Sequence, residues 1–332
     1  MKVSRQKWID ICRGLGIILV VFGHYMQTLH LKYNGIFTEI FYYIYSFHMP
    51  LFFFLSGFVY KKYTKKVFFK KKFKSLIVPL VTFTFLYTAY KYLIIGESIQ
   101  LFDILICKSN SFIHLYWFIW TLLWTQIVYF FLDNIFGNNV YVMVISLVIL
   151  TISMINNYCT VLIKLPFCLG NVIVLLPFYV FGVIYKENES KFGFNCLFLI
   201  LVADILLCKI YNFGVSYALL AFDKWQIDYL KAILGIIIMV IISKKINVLK
   251  MDYLSITLQK IGRESLWIYL VHGFFFWGLF KKTLFFIPDN NICIMLYTFI
   301  YTILTIFIIY LTIYIYRRVK ERIRFDVLQF EK

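Results

Sequence analysis

WIDICRGLGIILVVFGHYMQTLH, residues 8 to 30, is apolar and long enough to cross a membrane as one helix, yet it carries Asp10, Arg13 and His24. Ionisable side chains are costly inside a bilayer, so those that occur there are usually functional. The eleven steps from Arg13 to His24 return to nearly the same helix face about 16 Å higher. A cation and an imidazole therefore share one stripe. Asp10 sits about 60° to the other side of Arg13 and within one turn, placed to pair with the guanidinium. That layout suits a ligand lying along the helix.

The rest of the chain extends the same theme. Hydrophobic residues make up 62% of the 332 and charged residues only 15%, with a mean hydropathy of +0.82. A soluble domain needs more charge to cover its surface. Runs of about 20 apolar residues, the length that spans a bilayer, fall at roughly 9–29, 41–60, 76–95, 115–133, 138–155, 167–185, 193–211, 227–243, 265–286 and 291–315. These ten spans consume about 200 residues, and what remains is too short for a separate soluble domain. The expected fold is all-α, a polytopic transmembrane helix bundle of about ten spans in which residues 1–332 form a single membrane domain.

A net charge of +18 raises the question of nucleic acid, and the placement of the charges answers it. With a cytoplasmic N-terminus and alternating spans, 24 of the 34 Lys and Arg fall on the cytoplasmic side, including eight lysines from Lys61 to Lys74 and six basic residues from Arg317 to Lys332. This is the positive-inside pattern, and it predicts that both termini are cytoplasmic. The basic excess thus reports topology and contact with membrane lipid headgroups. A nucleic-acid partner is not expected, because the basic patches sit between spans and not on a groove-fitting module. The first span follows a basic stretch, as a signal peptide would, but its apolar region is too long and no small-residue cleavage site follows, so it should be retained. The seven cysteines show no CxxC pair or zinc spacing, and no metal is expected. Most read as small apolar side chains in helices; Cys107 and Cys159 fall in outer loops that would allow a disulfide.

Three further clusters carry chemistry. In YSFHMPLFFFLSGFVYKK, residues 45–62, His48 lies within about two turns of the outer end of its span, near the depth of His24. Pro50 breaks a backbone hydrogen bond that a neighbour must satisfy, and Ser56-Gly57 permits close helix approach. No GxSxG elbow is present, so a serine-hydrolase mechanism is not supported. In KKVFFKKKFKSLIVP, residues 65–79, read as an inner loop running into the third span, Lys70, Lys71 and Lys74 stand before a buried helix and offer ammonium groups to the phosphates of a cytosolic cofactor. In KIGRESLWIYLVHGFFFW, residues 260–277, Gly262 is expected to close an inner loop, Glu264 and Ser265 start a helix, and Ser265 and His272 share one face. Asp204 is another carboxylate at membrane depth, without a motif around it. His114, beside an aromatic run, reads first as part of an interfacial belt. Cations thus gather at the inner side while imidazoles lie at mid-depth or nearer the outside. A neutral imidazole placed so could take the proton from an attacking hydroxyl.

These motifs resemble the acyltransferase family 3 integral membrane O-acyltransferases, particularly their fucose 4-O-acetylase-like group. The resemblance rests on WIDICRGLGIILVVFGH at 8–24, YSFHMPLFFFLSGF at 45–58, the basic run before Pro79, HLYWFIWTLL at 114–123 and IGRESLWIYLVHG at 261–273, spread over nearly the whole chain. It implies a ten-helix bundle that moves an acetyl group from cytoplasmic acetyl-CoA to a glycan hydroxyl on the outer side of a bacterial inner membrane. The family's first-helix basic residue and histidine fall on Arg13 and His24. Its basic motif after the second helix is usually arginine-rich, whereas Lys71 and Lys74 stand nearest that place here, and lysine lacks the bidentate fork. No fused outer hydrolase-like domain is expected beside the bundle, so the acceptor is expected to be positioned by helices and short loops.

The expected activity is therefore O-acetylation of an exported or lipid-linked cell-surface polysaccharide. His24 is the expected general base, Asp10 and Arg13 orient the charged donor, and Lys70, Lys71 and Lys74 draw in CoA. His48, His272 and Ser265 are reserve candidates for proton transfer or acceptor binding. Either direct transfer or an acetyl-imidazole relay fits these residues. The competing classes are a glycan flippase or transporter, which predicts paired halves with corresponding broken helices that the sequence lacks, and a polysaccharide polymerase, which calls for a large outer loop where the longest, about 96–114, is modest.

Overall fold

The computed structural model describes residues 6–28, 36–96, 116–189, 197–211, 214–249, 252–283 and 291–330. Cys107, His114 and the expected outer loop at about 96–114 lie outside the described residues, apart from Gly96. Within them the chain is helical, and pairing is limited to one antiparallel bridge between Ser216 and Ala221. The helices are α1 (Lys7–Thr28), α2 (Ile36–Phe58), α3 (Lys65–Lys72), α4 (Val78–Tyr90), α5 (Trp117–Phe136), α6 (Asn139–Ile155), α7 (Asn171–Glu187), α8 (Leu197–Ile210), α9 (Trp225–Val248), α10 (Asp252–Arg263), α11 (Ser265–Thr283) and α12 (Asn291–Phe330).

Among the described residues, seven helical runs are long and apolar enough to cross a membrane: Lys7–Gln27, Phe37–Phe58, Lys65–Leu93, Trp117–Phe136, Pro166–Glu187, Trp225–Val248 and Ile292–Val319. The other three of the ten expected spans fall on α6, α8 and α11, whose described apolar stretches are shorter. Large apolar side chains such as Phe85, Leu93, Ile155 and Phe307 stand exposed on these helices, which a lipid environment accommodates and water would not. The described residues are helical throughout their long elements, and the chain is a multi-pass membrane protein.

The helices gather into two compact units, a terminal unit of Met1–Asn34 with Lys250–Lys332 and a central unit of Gly35–Leu249. In the terminal unit α1 packs on α10, α11 and α12. Its contact with α10 is backbone on backbone: a Cβ at Gly14 would overlap the Leu258 carbonyl, and one at Gly262 would overlap the Asp10 carbonyl. Gly262 therefore sits inside a helix and sets a close crossing, where the sequence reading placed it in a closing loop. Further along α1 the Tyr25 hydroxyl meets the Thr305 hydroxyl of α12 at 2.5 Å.

The central unit is built on α2 and α7, which also cross at glycines: Gly57 faces the Tyr179 carbonyl, and Gly182 faces that of Phe54. The expected close approach at Ser56-Gly57 is thus an α2–α7 contact. Both helices contain a proline, Pro50 and Pro177. Proline removes an N–H from the helix ladder, and beside Pro177 the buried Tyr229 hydroxyl of α9 donates to the Val174 carbonyl. A second difference concerns residues 65–75, expected as an inner loop running into the span at 76–95. They are helical: α3 continues through a π-turn at Phe73–Ile77, with the Val78 N–H bonding back to the Phe73 carbonyl, directly into α4. Pro79 has no N–H for the Ser75 carbonyl, and a wider turn before it re-routes the ladder. Phe68 of α3 stacks on Phe130 of α5 at 4.3 Å, which fixes the lysine-bearing helix to the C-terminal half of α5.

Candidate active site

Asp10, in the first turn of α1, is only 1% exposed. An isolated buried carboxylate would be prohibitively costly, and the structure supplies two cations. The Arg13 guanidinium lies 4.0 Å away on the same helix, and Arg263, at the end of α10, donates its Nε–H to Asp10 at 3.3 Å. The expected Asp10–Arg13 pairing is present and Arg263 joins it. Immediately after Arg263, Glu264 receives a 2.7 Å hydrogen bond from Arg317 of α12. One end of the terminal unit thus carries Arg13, Arg263 and Arg317 against two acidic groups, Asp10 and Glu264.

Three turns up the same face of α1 stands His24, half-buried. The imidazole that meets it is His272 of α11, with ring centroids 5.1 Å apart and planes tilted by 31°. His272 is buried, and its Nδ1 lies 2.6 Å from the Tyr269 carbonyl and 3.2 Å from that of Ile268. Carbonyls only accept, so Nδ1 carries the hydrogen and Nε2 carries the lone pair. The second imidazole is therefore held in one tautomer with its basic nitrogen defined. Ser265, half-buried, opens α11, two turns before His272.

His48 belongs to the central unit and is buried in α2, its Nδ1 donating to the Ile44 carbonyl at 2.7 Å. Lys70, Lys71 and Lys74 are exposed on α3 and the π-turn after it, with the Lys71 ammonium 3.8 Å over the Tyr63 ring. They present charge to solvent along the end of α5.

The central unit contains two charged clusters that the sequence reading did not single out. Between the C-terminal ends of α2, α5 and α7, the Asp133 carboxylate, 4% exposed, accepts a 3.0 Å hydrogen bond from the Tyr60 hydroxyl and lies 3.2 Å from the Lys62 ammonium. Burial, and then the neighbouring Asp133 charge, push the Tyr60 phenol well above its ordinary pKa, so it stays a donor. Asn139 bridges onward, accepting from Tyr129 at 2.5 Å and donating to Glu187 at 2.6 Å. At the opposite ends of α7 and α9, Lys231 is 2% exposed, lies 3.9 Å from Asp228 and donates to the Tyr211 carbonyl at 3.2 Å. Asp204 of α8 is buried as well and lies within the electrostatic reach of Lys231. Asp133 and Asp228 interrupt apolar runs just as Asp10 and Asp204 do, and that signal would have found them. Cys159, the described member of the cysteine pair expected in outer loops, contacts the Met154 sulfur at 3.7 Å, and burial raises its thiol pKa. Among the described residues no three His, Cys, Asp or Glu side chains converge as metal ligands would.

A sequence profile described as an acyltransferase domain matches residues 6–317, which cover both units and every cluster above. The chain belongs to acyltransferase family 3. Among curated relatives of this family-3 chain is the nodulation protein NolL of Mesorhizobium japonicum, 26% identical over 217 residues, which cover 60% of this chain and 54% of NolL. The chain therefore spans about half the length of that relative. No solved structure matches it.

Proposed function

We propose that this acyltransferase is an O-acetyltransferase of a bacterial inner membrane, folded as a single domain with both termini in the cytoplasm. It takes acetyl from cytoplasmic acetyl-CoA and delivers it to a hydroxyl of an exported or lipid-linked polysaccharide. The observation that carries this reading is the pairing of His24 with His272 on a helix whose lower end holds Arg13 and Arg263 around Asp10. Acyl transfer to an alcohol needs a base at the hydroxyl, and an anionic donor needs cations some distance away. His24 removes the proton as the acceptor oxygen attacks the thioester carbonyl. The tetrahedral adduct collapses, the C–S bond breaks, and the departing thiolate takes the proton back from the imidazolium. The products are the ester and free CoA. In this reading His272, whose Nδ1–H is committed to backbone carbonyls and whose ring centroid lies 5.1 Å from that of His24, exchanges that proton with His24. Asp10 orients the two arginines on the donor, and Lys70, Lys71 and Lys74 supply the field that gathers it. Ser265 and His48 remain candidates for acceptor binding.

The same imidazole pair favours a second reading, in which His24 takes the acetyl covalently and His272 serves the second transfer as base. Incubating the purified protein with labelled acetyl-CoA in the absence of glycan separates the two. Label held on a His24 peptide establishes the relay, and an unlabelled protein that still acetylates glycan establishes direct transfer. In either case a His24→Ala variant at normal protein level is expected to transfer no label to glycan; near-normal transfer would overturn the assignment.

A further inference from the structure

The Asp133 cluster borders a pocket of about 300 Å³ whose lining residues all belong to the central unit. It lies where the C-terminal ends of α2, α5 and α7 meet the start of α6. Helix C-termini are the negative ends of their dipoles and favour a cation, and two carboxylates strengthen that field. Asp133 is buried, and Glu187 is exposed at the mouth. An ionised carboxylate has about four acceptor positions. Asp133 engages the Tyr60 hydroxyl and the Lys62 ammonium, and Glu187 engages the Asn139 amide, so both keep positions for a ligand's donors. Tyr60 and Tyr129, edge to face at 4.8 Å, add aromatic surface that attracts an ammonium. At the rim the sign reverses. Lys61, Lys62 and Lys186 are exposed there, and a lysine ammonium has three donors, of which Lys186 commits one to the Tyr60 carbonyl at 2.7 Å. The carboxylates oppose a purely anionic ligand, and the lysines oppose a purely cationic one. A primary ammonium two carbons from a phosphate satisfies both, and a pocket at the lower end of small-molecule sizes suits a group that small.

The surroundings favour a lipid as the source of that group. One residue past Asn139, Val140, Val144, Leu147 and Val148 begin an exposed apolar stripe along α6, spaced to share one helix face. A headgroup seated in the pocket leaves its acyl chains at the start of this stripe, whereas a soluble metabolite makes no use of it. We propose that the pocket holds the phosphoethanolamine headgroup of a membrane phosphatidylethanolamine. Its ammonium meets Asp133, Glu187 and the tyrosines, its phosphate meets Lys61, Lys62 and Lys186, and its chains run along α6. The site is complete within the central unit and stands apart from the acyl donor and its chemistry. A lipid held there ties the segment after α2 to the ends of α5, α6 and α7, and a ligand that binds only the folded chain stabilises it.

The test is native mass spectrometry of the full chain, delipidated in detergent and titrated with dioleoyl phosphatidylethanolamine, phosphatidylglycerol or phosphatidylcholine. One phosphatidylethanolamine per chain is expected to bind about 10-fold more tightly than either of the others, the value of about one charge-assisted hydrogen bond. Phosphatidylglycerol lacks the ammonium, and the methyl groups of choline leave it no N–H to donate. Glu187→Gln is expected to erase the preference over phosphatidylglycerol, and Lys61→Ala with Lys62→Ala to weaken phosphatidylethanolamine about 10-fold. All three side chains are exposed, and unchanged size-exclusion behaviour controls for folding. Thermal unfolding gives a second readout: phosphatidylethanolamine should raise the unfolding temperature of the parent chain more than that of either variant. Equal binding of the three lipids by the parent chain, or a phosphatidylethanolamine preference that neither variant reduces, would overturn the site. Free phosphoethanolamine binding as tightly as the lipid would assign the pocket to a soluble metabolite and overturn the lipid assignment.

Discussion

His48 donates Nδ1–H to the Ile44 carbonyl, and His272 donates its own to the Tyr269 carbonyl with Ile268 beside it, each within its own helix. This bond satisfies a buried imidazole and fixes its tautomer, so each ring presents Nε2 as the basic nitrogen. Among the described residues, the contact with His24 sets His272 apart from His48. His24→Ala is expected to cost about 10² to 10⁴ in transfer rate, the span of general base catalysis. His272→Phe, which keeps a ring but deletes Nε2, is expected to cost roughly 10- to 100-fold, the value of one charge-assisted hydrogen bond; a rate unchanged from the parent would remove His272 from the proton path. Lys231 is a different case, a buried cation held by Asp228 and the Tyr211 carbonyl. Lys231→Met leaves carboxylates buried without their counter-charge and should destabilise the fold by about 3 to 5 kcal/mol. Thermal unfolding in detergent measures it, and adding Asp228→Asn should recover part of the loss. Asp10, Arg13 and His24 were legible in the sequence because one helix carries all three and helical geometry relates them. Arg263 and His272 come from other helices, so their meeting with α1 depends on packing that periodicity does not encode.

At the scale of elements, each unit has its own helix crossing at glycine, Gly14 with Gly262 in the terminal unit and Gly57 with Gly182 in the central unit. In lipid there is no hydrophobic drive between helices, so close backbone contact carries much of the association. Gly262→Val would push α10 away from α1 and with it Arg263 from Asp10. Overpacking of this kind costs about 1 to 3 kcal/mol, and reduced folded yield with weaker donor binding is the expected result. Full yield with undiminished binding would show that the crossing does not position Arg263. The Ser56-Gly57 approach was readable because small residues in an apolar run have few other uses. The helical state of residues 65–75 was not, because eight lysines between Lys61 and Lys74 look like a solvated loop until Phe68 is seen stacked on Phe130.

At the scale of the molecule, composition and run length were sufficient for an all-helical membrane protein, since 62% hydrophobic residues leave no soluble alternative. The family followed from motifs, which composition alone could not supply. The lysine and arginine bias predicts a cytoplasmic C-terminus: a fluorescent reporter fused after Lys332 is then expected to be active in the cytoplasm, and an alkaline phosphatase fused there inactive. The reverse result would invert the direction proposed for acetyl transfer. Acyl transfer to a surface glycan is tested most directly by mass spectrometry and proton NMR of the surface polysaccharide from cells with the protein, without it, and with His24→Ala in its place. The expected result is an O-acetyl signal present only in the first sample, whereas an unchanged acetylation pattern with altered chain length or abundance would contradict acyl transfer and indicate a polymerase or flippase.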